Sequence, residues 1–146
     1  MFQENQHVRI KVGDNPFVGP IKRVCQTFFR NPNLFAPYNR VWKPISMHTI
    51  EEKRPMLHIS TTGKRELYVT DDQIILTPGG KCRFVKDLTP GDVISIEESI
   101  CGSDTDTIAT VVSVSQAGDW LFSIKVSDIT EPYFALENGI ICRGEL

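Results

Sequence analysis

At 146 residues, with 40% hydrophobic and 23% charged side chains, the chain is long enough for a single domain with a core of its own. Sixteen Lys and Arg against 18 Asp and Glu give a formal net charge of -2, which excludes a global basic field for nucleic acid or an anionic membrane. No apolar run approaches the roughly 18 residues of a membrane span, and the opening "MFQENQHVRI" lacks the basic and apolar stretches of a secretory signal. A soluble, intracellular protein is expected.

In chain order, "HVRIKV" and "GPIKRVCQTF" come first as predicted strands, the second carrying Cys25. Arg30–Pro55, "RNPNLFAPYNRVWKPISMHTIEEKRP", has four prolines and little periodicity. It reads as a long irregular excursion with one helical turn at "HTIEEK". Loops of that length are usually functional or touch a partner. Phe35, Tyr38, Arg40 and Trp42 within it are residue types that anchor interfaces; the competing reading folds its aromatics back onto the core. Beyond it, "PMLHIST", "ELYVT", "QIILT", "CRFVKD", "DVISIE", "TIATVVSVS", "WLFSIKVS", "PYFAL" and "GIICRG" are short strands divided by Gly, Pro, Asn and Asp. So many short strands predict an all-β fold, sandwich-like or barrel-like, in one domain spanning residues 1–146.

Cys25, Cys82, Cys101 and Cys142 are scattered, and no pair has C-x-x-C spacing. Free thiols in a reducing compartment are the plain reading, with no metal or cofactor expected. His48 and His58 have no evident carboxylate partner and read as structural or surface residues. Asp71-Asp72 is a natural turn pair, and Asn138-Gly139 suits a hairpin turn. "KRVCQTFFR" and "GKCRFVK" mix basic and aromatic residues as single-strand binders do, but exposed lysines beside ordinary strands explain them. Nucleic acid is not an expected partner.

The chain also resembles itself. "IKVGDNPFVGPIKRV" parallels "LTPGDVISIEES" and "TIATVVSVS", each a Gly-Asp turn followed by two strands. "ELYVTDDQII" (Glu66–Ile75) parallels "EPYFALENGII" (Glu131–Ile141) with one inserted residue. The shared order predicts duplication with pseudo-twofold symmetry.

These segments carry a further likeness. "LHISTTGKRELYVTDDQIILTPGGKCRFVKDLTPGDVISI" and "GDWLFSIKVSDITEPYFALENGIICRG", with "IKVGDNPFVGPIKRV" ahead of them, resemble the blocks of the Hint family. That family comprises the self-processing modules of inteins, hedgehog autoprocessing domains and bacterial intein-like domains. The resemblance implies a Hint-like horseshoe of two duplicated β halves. It also implies a chemistry: an N-terminal Cys or Ser attacks the preceding carbonyl, a Thr and a His assist the departing amide, and a terminal His-Asn pair releases the far junction.

Carried over residue by residue, the chemistry is missing. Thr70 occupies the Thr position, but Gln73 stands where the His belongs, and an amide lends no proton near neutral pH. Met1 and Phe2 stand where the nucleophile belongs, and Arg143 and Gly144 where the His-Asn pair belongs. Cys25 and Cys142 are the alternative nucleophiles, each reading more simply as a small buried hydrophobe. "ESICGSDTDTIAT" offers only a short loop where many inteins carry a homing endonuclease. The resemblance therefore implies a catalytically inactive Hint module, retained for protein-protein interaction in a larger assembly such as a phage virion. The alternative is a divergent self-cleaving or splicing domain.

Overall fold

The computed structural model describes residues 1–28, 30–98 and 102–145. The elements run β1 (His7–Val12), β2 (Asn15–Pro20), α1 (Ile21–Phe28), β3 (Leu34–Tyr38), β4 (Val41–Glu51), β5 (Met56–Thr61), β6 (Glu66–Thr70), β7 (Ile74–Thr77) and β8 (Lys81–Phe84). A 3-10 turn at Val85–Asp87 leads to β9 (Val93–Glu98), β10 (Gly102–Val114), β11 (Trp120–Val126), β12 (Tyr133–Ala135) and β13 (Ile141–Arg143). Three sheets result, ordered β11-β4-β3-β1-β2, β6-β5-β10-β9 and β12-β13-β7-β8. The all-β expectation holds. Among the described residues no helix is long and apolar enough to cross a membrane.

Two expectations need correction. Arg30–Pro55 is not irregular, and "HTIEEK" is not a helical turn: Leu34–Tyr38 and Val41–Glu51 form a hairpin, in register from Leu34↔Ile45 to Tyr38↔Val41. Its two-residue turn has Asn39 at φ 51° and Arg40 at φ 64°, the left-handed pair that joins twisted strands. Prolines disguise the hairpin. β1 reaches β3 only at Leu34 and Phe35, and β11 reaches β4 only from Ile45 onward. Pro37 and Pro44 thus each have a strand neighbour on one side only, where a missing N–H is tolerated. The second correction concerns "GPIKRVCQTF", in which the strand stops at Pro20 and a helix follows. Ile21, Val24, Cys25 and Phe28 fall at helical spacing, and the first three are buried.

The duplication is real in the topology, as an exchange between halves. β4 of the first half pairs with β11 of the second, while β10 of the second half pairs with β5 of the first. The hairpin β3–β4 corresponds to β9–β10, and β7 meets its counterpart β13 at Ile75↔Cys142. The match of "ELYVTDDQII" with "EPYFALENGII" is thus β6–β7 against β12–β13. The Gly-Asp match does not follow this symmetry, since Gly13-Asp14 turns β1 into β2 whereas Gly91-Asp92 leads into β9. In "ESICGSDTDTIAT", residues 99–101 lie outside the described residues, and the rest from Gly102 is strand rather than loop.

The exchanged sheets close around one core that includes Ile10, Ile59, Leu67, Ile75, Ile94 and Phe134. Phe2, 1% exposed, bridges Val69 of β6 and Phe122 of β11. Its N–H donates to the Phe122 carbonyl (2.7 Å), the Phe122 N–H returns the bond (3.1 Å), and its ring meets Phe134 edge-on at 6.0 Å.

A buried carboxylate fixes the turn between β5 and β6. Asp106 of β10 accepts hydrogen bonds from Thr61 Oγ1 (2.5 Å), Thr62 Oγ1 (3.1 Å), the Gly63 N–H (3.1 Å) and Arg65 Nη1 (2.9 Å). Burial pushes its pKa up, but the bonds from Thr61, the Thr107 N–H, Arg65 and the Gly63 N–H outweigh this and hold it at about 2. Because the folded value lies below the ordinary aspartate value of about 3.9, the stabilisation is full above that pH. It is lost as pH falls through about 2. Asp106→Ala strands the donors around it and is expected to cost about 3 kcal/mol at neutral pH. Urea unfolding measures the loss, which should shrink as pH drops through the window.

Candidate functional site

The seam at Phe2 delivers Met1 to the end of β6. The Met1 nitrogen lies 3.0 Å from Thr70 Oγ1 and 2.8 Å from Gln73 Oε1, and the Thr70 N–H donates to the Met1 carbonyl at 2.9 Å. Thr70 and Gln73 are buried. Gln73 reaches the other way too, since its Nε2 donates to the Arg143 carbonyl (3.1 Å) and the Ile74 carbonyl (3.0 Å). One amide therefore ties the first residue to the last strand. Asp72, Gln73, Ile74, Arg143, Gly144 and Glu145 line a small cavity of about 220 Å3 beside this cluster. Gln73 and Arg143, 70 positions apart, meet because β7 and β13 pair near the pseudo-twofold axis.

The architecture that builds this cluster, exchanged long strands around paired equivalents, has solved counterparts. An intein from a hyperthermophile superposes with a TM-score of 0.82 at 12% identity, over 97% of this chain and 98% of its own. The transcription factor IIB Mvu mini-intein follows at 0.79 and 14% identity, over 99% of this chain and 100% of its own. A DnaB intein from Synechocystis gives 0.78 at 14% identity, over 99% and 98%. The chain has the Hint fold. No protein-family model matches the sequence, and no curated protein matches it either. At such identities the likeness establishes the architecture, and the chemistry has to be read from the residues.

In this Hint fold, Thr70, Gln73, Arg143 and Gly144 lie together, with Met1 among them. Gly144 is packed hard against β11. Its N–H donates to the Pro132 carbonyl at 2.7 Å, and a Cβ built there would come within 3.0 Å of the Val126 nitrogen and 3.1 Å of the Ile124 carbonyl oxygen. A side chain at 144 therefore needs β11 to give by a few tenths of an ångström. Cys142 is fully buried, and burial pushes its thiol up to about 12, against the pull of the nearby Met1 amino group. Cys25 sits elsewhere, on α1 beside a separate cavity of about 610 Å3 lined with Ser46, Met47, His48 and Thr49. Burial raises its thiol as well. Cys82 is exposed, 3.0 Å from the Tyr133 hydroxyl, and Cys101 lies outside the described residues.

Sequence reading missed several partners. Asp72 pairs with Arg54 at 2.7 Å. Burial raises its pKa, yet hydrogen bonding by Thr70 and the Arg54 charge bring it below the ordinary aspartate value. His58 does have a carboxylate partner, Glu66, and its ring stacks on Tyr68 at 4.3 Å. Neither pairing was visible in sequence spacing, because β5 and β6 bring His58 opposite Tyr68 only when folded. The interface candidates divide between two faces. Phe35 and Trp42 point to the outside of the five-stranded sheet, with Lys11 over the Trp42 ring at 5.7 Å. Tyr38 points the opposite way, packs with Tyr133, Leu76, Ala135 and Ile141, and lines a third cavity of about 490 Å3. Arg40, at the hairpin tip, donates its backbone N–H to Glu97 Oε1 at 2.8 Å. Among the described residues no cluster of three His, Cys, Asp or Glu could hold a metal ion.

Two outcomes are expected. Gln73→Ala breaks the bridge between Met1 and Arg143 and takes the amide donor from the half-buried Arg143 carbonyl, costing about 2 kcal/mol in denaturant unfolding. Thiol alkylation of the native protein followed by peptide mapping should modify Cys82 first, with Cys25 and Cys142 protected until unfolding.

Proposed function

We propose that this chain is a catalytically silent Hint module that acts by binding another protein, as a component of a larger assembly such as a phage particle. The observation that carries the reading is Gln73. It occupies the station of the family's proton-donating histidine, and its carbonyl and amino groups are engaged in holding Met1 and Arg143 in place. An amide cannot protonate a departing amine near neutral pH. Two neighbours support the same conclusion. A methionine thioether has no proton to lose and does not open an acyl bond as a thiolate does, so Met1 supplies no nucleophile. Gly144 has no side-chain amide to cyclise, and its close approach to β11 makes the position tight for any side chain. What remains is the scaffold, with Phe35, Arg40 and Trp42 displayed on one hairpin.

The self-cleaving alternative uses Thr70 with Cys142 or Cys25, and both thiols are held protonated by burial. One experiment decides between the two readings. Flanking sequences are fused at both ends, and the purified product is weighed intact before and after hydroxylamine. A single uncleaved mass is expected for the natural residues. In a fusion carrying Met1→Cys with Gln73→His, thiol attack on the preceding carbonyl and imidazole protonation of the amide are restored together, and hydroxylamine should release the upstream tag. A cleavage product from the natural chain that disappears with Cys142→Ala or Cys25→Ala would overturn the proposal.

A further inference from the structure

Acidic residues outnumber basic ones in the chain, yet among the described residues the outward strand positions of the five-stranded sheet carry none. In the five-stranded sheet Val8, Ile10, Leu34, Ala36, Ile45 and Met47 point into the core, so alternation sends their neighbours outward. Register then places Arg9 beside Val18, Lys11 beside Pro16 and Phe35, and Trp42 beside Pro37. Farther along, Lys125 of β11 lies opposite Ser46. None of the outward positions of these five strands is Asp or Glu. Among the described residues the carboxylate that forms an ion pair to this face is Asp14, at a turn, fully exposed and 3.9 Å from Lys11. Among the described residues Arg9 and Lys125 form no ion pair at all.

We infer that this face docks an acidic segment of a partner protein, with Arg9, Lys11 and Lys125 matching its carboxylates and Trp42, Phe35 and Val18 covering its apolar atoms. The inference rests on the interaction reading above and specifies the partner's chemistry. Charge complementarity carries it, because a face holding cations and no anions on a net-negative molecule attracts acidic groups locally while the molecule as a whole repels them. The same cations do not make a nucleic-acid platform. Single strands bind by laying successive bases on several open aromatic faces, and of Phe, Tyr and Trp the outward positions of these strands hold Phe35 and Trp42 alone. A net charge of -2 also works against a long polyanion.

Fluorescence anisotropy tests this with three labelled probes at low salt: a peptide alternating Asp and Glu, a neutral Ser-Gly peptide of equal length, and an oligothymidylate. The acidic peptide should bind and be released by added salt, and the neutral peptide should not bind. Arg9→Glu and Lys11→Glu should each weaken binding roughly tenfold, as expected for a charge reversal at a contact. Lys81→Glu, an equal charge change on exposed β8, should leave it nearly unchanged. No binding of the acidic peptide, equal weakening by Lys81→Glu, or tighter binding of the oligothymidylate would each overturn the inference. Co-purification separates this from the broader reading. Neighbours retained by the native protein and lost with Trp42→Ala, without acidic-peptide binding, would remove the partner's chemistry and keep the interaction. Loss of both signals would remove both.

Discussion

The wedge of Phe2 between β6 and β11 is the contact on which the rest of the site depends. Two sheets that share no strand ladder at that seam are joined there by backbone hydrogen bonds. These link Phe2 with Phe122 of β11, and its neighbours Met1 and Gln3 with Thr70 and Tyr68 of β6, while the Phe2 ring is sealed against Phe134. Burying such a ring contributes about 2 kcal/mol or more, and the two-sided bridge fixes its direction. Met1 then has nowhere to go except the end of β6, where Thr70 and Gln73 receive it. Geometry at the first residue is therefore a consequence of core packing at the second.

The exchange of long strands explains how such a centre is assembled from both halves. β4 pairs with β11 and β10 with β5, so each half completes the other's sheet and neither is a unit alone. β7 and β13 consequently meet near the pseudo-axis, and whatever side chains occupy their ends are brought together. In this chain those positions hold groups that form hydrogen bonds without exchanging protons. Gln73 is a strap between the first residue and the last strand, a role that a histidine in the same place could fill only by giving up part of its freedom to act as an acid.

Electrostatics in the molecule divides by location. Asp106, buried, and Asp72, at the surface beside Arg54, are both held ionised by the donors around them. Outside, the five-stranded sheet separates its charge, sending Lys43 to Asp128 and Glu131 on the inner side and leaving Arg9, Lys11 and Lys125 on the outer side. A sheet with one face packed and one face free lets strand alternation sort charges in this way.

Much of the fold was legible in the chain. Short β-rich runs with turn punctuation implied the all-β class, and the repeat of "ELYVTDDQII" in "EPYFALENGII" implied the duplicated halves, because both signals are local in sequence. The residue types at Thr70, Gln73, Arg143 and Gly144 were equally plain, since chemical capacity resides in the side chain itself. The hairpin at Leu34–Tyr38 and Val41–Glu51 was hidden, because prolines signal a break unless the strand's neighbours are known, and helix α1 was hidden because eight residues carry too little periodicity to outweigh their β-branched composition. The His58–Glu66 pair, the two faces that divide Phe35 and Trp42 from Tyr38, and the close approach of Gly144 to β11 were decided by tertiary structure alone. Each depends on register between strands distant in the chain, and register is set by the whole core rather than by any one segment.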